Sequence, residues 1–250
     1  MQLIISPAKK MVVNRDDFAV QGQPVFLKKT EQILKHLRTL SYQELQSLWR
    51  TSDRLTQYNV TQLAQLDLKQ RLTPAILSYA GIQYQSLAAD LLSTSGLTYL
   101  QQHLWILSAF YGLLRPFDGI APYRLDMQAK MSVAGHPNLY DFWGDHVYRE
   151  LVKGKEPIVN LASQEYAKLI LPFSQGHPRI VTITFGQYID GQFKTRATFA
   201  KRARGEMVRY LAEHQINQID TIKAIDLPNY RFCPEQSNTT NFVFAGTKIK

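Results

Sequence analysis

Cysteine is almost missing from this chain: Cys233 stands alone, so no intrachain disulfide can form, which fits a reducing, cytoplasmic setting. Long apolar runs are lacking as well. The most nearly continuous one, LWILSAFYGLL at 104–114, is far short of the ~20 residues that span a bilayer. The opening MQLIISPAKK places its charges after the apolar segment, the reverse of a secretory leader. Compact metal-ligand spacing is also wanting. The histidines at 36, 103, 136, 146, 177 and 214 form no His-x-x-x-His pair, so local spacing assembles no metal site and no cofactor is expected. There is no Gly-x-Ser-x-Gly elbow, phosphate loop or dinucleotide fingerprint.

Acidic residues are the remaining shortage, with 20 Asp+Glu against 29 Lys+Arg, a net charge of +9. That excess favours an anionic partner such as nucleic acid. It is also concentrated. Between Lys194 and Arg209 lie six cations and a single acid, Glu206. Placed at about 100° per residue, FAKRARGEMVRYL at 199–211 collects Ala200, Ala203, Met207, Tyr210 and Leu211 on one side. Arg202 and Arg209 fall opposite, and Arg204 sits at the margin of the apolar stripe. A cation there needs a counter-charge, because an unpaired buried charge costs several kcal/mol. An internal carboxylate from Asp141, Asp145 or Glu165 is the expected partner; a phosphate is the external alternative.

With 250 residues, 45% of them hydrophobic, the chain can close a large core. The pattern predicts one mixed α/β domain over 1–250, with a helical N-terminal half and a mixed sheet plus hairpin in the C-terminal half. QLIIS reads as a buried strand and 10–30 as a loop. A helix begins near Lys28, and Ser41-Tyr42-Gln43-Glu44 has the form of a capping box. Thr73-Pro74 is expected to open a helix that Gly81 closes, and Leu97 to Phe110 to form another. Further on, EPIVN predicts a strand, Ser163 a helix cap, and Asp190-Gly191 a tight hairpin. TIKAI near 222 and NFVFA near 242 complete the expected strands.

Chemistry-bearing residues gather beside strand ends, glycines and prolines. In LYDFWGDHVY, Asp141 and Asp145 share a face if the segment is helical, to hold an arginine, act as an acid/base pair or cap a helix. Asn160, Ser163 and Glu165 follow a strand, where ligands bind in α/β folds. Arg115 and Arg124 present rigid forks suited to carboxylate or phosphate, with Asp126 close by in sequence. Beside a protein that lowers free iron, for which the sequence supplies no compact ligand set, two readings stay open. One is duplex DNA held through Lys9, Arg115, Arg124, Lys194, Arg196, Lys201, Arg202, Arg204 and Arg209. The other is an enzyme acting on a nucleobase or nucleotide, with Lys9, Asp141, Asp145, Asn160, Ser163 and Glu165 in one pocket.

Six ordered segments, ISPAKKM, LSAFYGLLRP, PYRLDM, LYDFWGD, NLASQEY and FAKRARGEM, resemble the motifs of the YaaA peroxide-stress protein family over nearly the whole chain. The resemblance implies a single-domain α/β fold with a basic cleft, double-stranded DNA as partner, protection against peroxide and lowered free iron; no protein partner is implied, and the short apolar runs lead to the expectation of no membrane. It also implies a helix-hairpin-helix element, for which SAFYGLL is the place, although Ala109 stands where the turn glycine is expected. In YAGIQYQSLAA at 79–89, Ile82 and Ser86 occupy positions where the family has Asp and Gly, so a role resting on that aspartate does not carry over.

Overall fold

Residues 1–14 and 18–247 are described by a computed structural model; residues 15–17 of the expected 10–30 loop lie outside the described residues. The chain runs β1 (Gln2–Ile5), α1 (Leu27–Leu37), α2 (Tyr42–Trp49), α3 (Asp53–Gln65), β2 (Thr73–Pro74), α4 (Ala75–Ser78), α5 (Ile82–Leu87) and α6 (Thr94–His103). It continues through β3 (Leu104–Ser108), β4 (Gly112–Leu114), β5 (Gly119–Ile120), α7 (Leu139–Trp143), α8 (His146–Leu151), β6 (Ile158–Leu161) and α9 (Gln164–Ala167). Then come β7 (Ile180–Ile189), β8 (Gln192–Lys194), α10 (Ala197–Glu213), β9 (Tyr230–Phe232) and β10 (Asn241–Gly246).

One sheet organises the molecule, in the order β4-β3-β1-β6-β7-β10-β9 with β8 added to β7. From β3 through β10 the neighbours are parallel, and the edges β4 and β9 run antiparallel. Parallel strands covered on both faces read as continuous apolar runs, and β1 and β3 are buried at every residue. Along the five parallel strands, numbered by sequence, the spatial order is second, first, third, fourth, fifth. The winding therefore reverses at β1, which lies between β3 and β6. In open α/β sheets the crevice at such a reversal, beyond the carboxyl ends of the strands, is where ligands bind.

Several local signals hold. Ser41 and Glu44 close the capping box that starts α2: the Glu44 N–H donates to Ser41 Oγ and the Ser41 N–H donates to Glu44 Oε2 at 2.7 Å. Asp190 and Gly191 both take positive φ, 53° and 74°, as a two-residue hairpin turn between β7 and β8 requires. Other expectations fail where long-range pairing overrides them. The predicted helix over Leu97–Phe110 ends at His103, and Leu104–Ser108 is a central strand paired with β1. Thr73-Pro74 pairs with β5 and opens only the one-turn α4, with no side-chain cap hydrogen bond, and Gly81 precedes α5 instead of ending α4. SAFYGLL is a β-turn-β unit joining β3 to antiparallel β4, not a helical hairpin. TIKAI forms a short 3-10 turn, and the strand near it is β9.

α10 delivers the basic segment to the sheet. Its buried side is Ala200, Ala203, Gly205, Met207, Val208, Leu211 and Ala212, the expected stripe widened by Gly205, Val208 and Ala212, with Tyr210 only half-buried. At Gly205 the helix lies directly against α5. A Cβ there would overlap the Gln83 carbonyl oxygen and stand 2.9 Å from Ser86 Cβ.

The Gly205 contact can be tested by substitution. In an exposed helix, Gly to Ala would add about 1 kcal/mol of stability. Here Gly205→Ala is expected to cost about 3 kcal/mol through overpacking against backbone and to lower the melting temperature by roughly 10 °C. Thermal melts followed by circular dichroism read the sign directly, and a stabilised variant would show that α10 is free to move off α5.

Candidate nucleic-acid interface at the strand reversal

β1 and β6 end side by side, Ile5 in register with Leu161, so Ser6 and Ser163 emerge together. The Ser163 N–H donates to Ser6 Oγ at 2.8 Å, and the Ser6 hydroxyl donates onward to Ser163 Oγ at 3.2 Å. Ser163 thus holds the helix-cap position of α9 while its side chain makes no cap hydrogen bond. Below it, the Asn160 Nδ2 donates to Thr182 Oγ1 at 3.0 Å, and Asn160 Oδ1 accepts from the Ala162 N–H at 3.0 Å. Asn160 is 1% exposed. Its amide is spent on shaping the loop after β6.

The Ser6 carbonyl accepts from Tyr84 OH at 2.9 Å and from Gln83 Nε2 at 3.3 Å. α5 is thereby fixed to the end of β1, and α10 to α5 through Gly205. The segment after Ser6 is pinned on its other side, with the Ala80 N–H donating to the Lys10 carbonyl and the Val12 N–H to the Ser78 carbonyl. Between these walls lies a cavity of about 360 Å³ lined by Lys9, Lys10, Arg124, Lys201 and Arg204, with only Asp126 and Glu165 as carboxylates.

Arg204 is the least satisfied of these cations. Its Nε is shielded from solvent with no hydrogen-bond partner, and it makes no ion pair with a described residue. Burial pulls its guanidinium below the ordinary arginine range, although an arginine stays charged at neutral pH. The expected internal carboxylate is therefore not there. Asp126 pairs with Lys9 at 2.7 Å, not with Arg124, whose Nη1 instead reaches the Lys9 carbonyl at 3.4 Å. Glu165 leaves Oε1 buried and unpartnered. Burial first, and then the Asp126 charge, raise its carboxyl above the usual range, opposed by backbone N–H groups of Gln128 and Met127 and by Lys9. Beneath the cavity, Tyr123 OH bonds Tyr79 OH at 2.9 Å and Ser108 Oγ at 2.8 Å. Its phenol, pushed up to about 12 by burial, stays neutral.

Arg204 also borders a wider cleft of about 920 Å³, lined by Lys168, Thr182 and Thr195 among others. Lys194 ends β8 and Arg196 precedes α10, so the two exposed cations adjoin Thr195 in the chain without lining the cleft themselves. The structure thus brings together Lys9, Arg124, Ser163, Glu165, Lys201 and Arg204, with Lys194 and Arg196 alongside. Five other predicted residues do not join them. Arg115 lies near the opposite end of β1, its guanidinium 3.4 Å from the Trp105 ring centroid and donating to the Gln102 carbonyl. Asp141 pairs with the Asn138 amide at the start of α7. Gly144, at φ +48°, separates α7 from α8, so Asp141 and Asp145 never share a helical face. Asp145 binds Arg149 at 2.6 Å. On α10, Arg209 is paired with Glu213 at 2.8 Å, and Arg202 acts on Tyr230, near β9.

Ser6, Lys10 and Tyr123 are the lining residues that the sequence reading passed over. The signal existed, because Ser6-Pro7 follows β1 as Ser163 follows β6. Among the described residues no group of three or more His, Cys, Asp or Glu is placed to hold a metal ion, and no helix is long and apolar enough to cross a membrane.

A family model described as peroxide stress protein YaaA matches residues 1–236. Proteins named UPF0246 protein are similar along their whole length. The one from Lactiplantibacillus plantarum is 50% identical over 244 residues, 98% of each chain. That from Pediococcus pentosaceus is 48% identical over 249 residues, 100% of this chain and 99% of its own. A more distant one, from Lachnoclostridium phytofermentans, is 45% identical over 98% of this chain and 96% of its own.

Glu165 generates a pH test. Its folded value lies above the ordinary 4.5, so the folded state binds the proton more tightly than the unfolded chain does. Its contribution to stability is then fully present below 4.5 and is lost as pH rises through the folded value. Glu165→Gln, which mimics the protonated acid, is expected to melt higher than the parent at pH 7. That advantage should shrink to nothing as pH falls below about 4.5. An advantage that is constant with pH would locate the effect elsewhere.

Proposed function

Because the chain belongs to the peroxide stress protein YaaA family, we propose that it acts in peroxide stress by binding double-stranded DNA along the basic trough at the strand reversal. The observation that carries the proposal is Arg204: a guanidinium held largely out of water, with no internal partner, opening onto both the inner cavity and the wider cleft. Leaving a cation so placed is costly, and an external anion offsets that cost. The neighbouring cations extend the same potential. Lys10, Lys9, Arg124 and Lys201 share the inner cavity with Arg204, while Lys194 and Arg196 are exposed cations on either side of Thr195 in the chain. Such a set of cations contacts phosphates and positions the duplex without reading its sequence. Bound in this way, the protein shields DNA from oxidative damage generated near the backbone.

Ser6, Ser163, Asp126 and Glu165 add polar groups that phosphate binding does not need, and they favour a second reading in which the inner cavity acts on a nucleobase or nucleotide. Its strongest support is Glu165, half-buried with Oε1 unpartnered and its carboxyl raised above the ordinary range, chiefly by burial.

Fluorescence anisotropy with a labelled duplex across a salt series tests the leading reading. About five or six neutralised phosphates give a slope of log affinity against log salt near −5, and each single replacement of Lys194, Arg196 or Lys201 by Gln lowers its magnitude by about 1. Arg204→Met is expected to reduce affinity by about tenfold while the melting temperature holds or rises, since removing an unpaired buried charge relieves the fold. A salt-independent affinity, or a lower melting temperature with unchanged DNA binding, overturns the assignment.

A further inference from the structure

The inner cavity at the strand reversal, about 360 Å³ in volume, lies near the lower end of the ~300–1,000 Å³ usual for small-ligand sites. Its floor is closed by the Ser6–Ser163 pair. A phosphodiester carries a sugar on each side and can only pass across the mouth of such a space. A phosphate esterified once has a free end that can enter.

Five cations line the cavity, Lys9, Lys10, Arg124, Lys201 and Arg204, against the carboxylates of Asp126 and Glu165. Asp126 is already bound to Lys9 at 2.7 Å, which leaves Lys10, Lys201 and two arginines facing Glu165 alone. Neither arginine pairs with a carboxylate of a described residue. Arg124 makes one long contact, from Nη1 to the Lys9 carbonyl at 3.4 Å, and Arg204 makes no hydrogen bond among the described residues. In each guanidinium it is Nε alone that is both closed off from solvent and unpartnered. The terminal nitrogens of Arg204 and Arg124 Nη2 therefore remain open, and these are the atoms with which a guanidinium grips an oxyanion. The two forks come from separate elements, one from α10 and the other from the segment between β5 and α7. At the floor, Ser163 Oγ accepts from Ser6 and makes no cap bond to α9, so its own proton is free for an acceptor.

A carboxylate offers two oxygens and one charge, which a single guanidinium satisfies. Two unpaired guanidiniums, two further lysines and a hydroxyl instead match three oxygens that share about −1.5 to −2 charge at pH 7, the terminal phosphate of a monoester. We propose that the inner cavity is a phosphomonoester site, in which Arg204 and Arg124 hold the phosphate oxygens, Lys10 and Lys201 add charge, and the Ser163 hydroxyl donates from the floor. The inference rests on the reading of the trough as a phosphate-binding surface and deepens it, by separating a dianionic terminal phosphate inside from the monoanionic diesters outside. Duplex phosphates reach Arg204 from the wider cleft, which it also borders. A free nucleotide and the phosphorylated end of a DNA strand present the same group to the cavity.

Isothermal titration calorimetry on the full chain decides it, with thymidine 5′-monophosphate as probe. The controls are thymidine, which lacks the phosphate, and the methyl ester of thymidine 5′-monophosphate, which is a diester. The monoester is expected to bind one to one and at least tenfold more tightly than either control. Arg124→Gln and Ser163→Ala should each weaken it about tenfold, the loss of a hydrogen bond to a charged group, and should change binding of the methyl ester less. Should one variant fold poorly, the other carries the test. Equal binding of monoester and methyl ester, or variants that bind the monoester as the parent does, overturns the site and leaves the trough to be judged by its own salt series. Tight monoester binding beside a salt-independent duplex affinity keeps the site and removes the trough. A hairpin duplex ending in a 5′-phosphate, compared with the same hairpin ending in a 5′-hydroxyl, identifies the source. If the phosphorylated end binds more tightly, and Arg124→Gln abolishes the difference, the occupant is a DNA end; equal binding of the two hairpins assigns the site to free nucleotides.

Discussion

The reversal of winding at β1 is the constraint on which the rest of the molecule depends. With β3 on one side and β6 on the other, the loops leaving β1 and β6 part over a gap that no crossover covers. Ser6 and Ser163 close its floor by hydrogen-bonding to each other. Its sides are set by two further contacts that act in series. The Ser6 carbonyl anchors α5 through Tyr84 and Gln83, and α10 lies on α5 because Gly205 has no side chain to hold it off. Arg204, next to that glycine, is carried to the gap as a consequence. The basic helix owes its position to a hydrogen-bonded strand end and one missing Cβ, not to any ion pair of its own.

The departure from the family pattern in 79–89 takes on meaning in this geometry. Ser86, where the family has glycine, faces Gly205 across the α5–α10 contact, so only one of the two helices needs to lack a side chain there. Ile82, where the family has an aspartate, lines the inner cavity. An apolar residue at that wall leaves Asp126 and Glu165 as the cavity's carboxylates, the first already bound to Lys9 and the second pushed toward its neutral form. In this chain the trough is therefore more cationic at neutral pH than an aspartate at position 82 would leave it.

What was legible in the sequence was what neighbours along the chain decide. The Ser41–Glu44 cap, the Asp190-Gly191 turn and the apolar stripe of α10 are each fixed within a few residues. β3 was not legible because Leu97, Leu100, Leu104 and Leu107 continue a helical spacing that only pairing with β1 interrupts; a short apolar run does not reveal which partner will claim it. Asp141 and Asp145 misled for a related reason, since Gly144 breaks the helix that would have aligned them. The apolar cavity bordered by Trp49, Asn59 and Leu63 left no mark at all, because three helices must pack before it exists and each of those residues looks ordinary in its own helix.

The chemistry of the one thiol bears on how such a protein can matter under peroxide. Peroxide oxidises thiolates, and an effective sensor cysteine is exposed and held in an electropositive setting that lowers its pKa. Cys233 is the opposite: 7% exposed, packed with Val243 and Ala245, and raised above the ordinary thiol range, chiefly by burial. Its Sγ–H points to the Arg231 carbonyl at 3.6 Å, and it lies outside the residues lining the basic trough. Buried polar atoms without a partner fall at Arg204, Glu165 and Arg124 on the trough, and at Trp49, Asn59 and Glu206 outside it. Departures from internal consistency of this kind collect where function resides. Under the proposed function it is the trough, and not Cys233, that would carry this protein's part in peroxide stress.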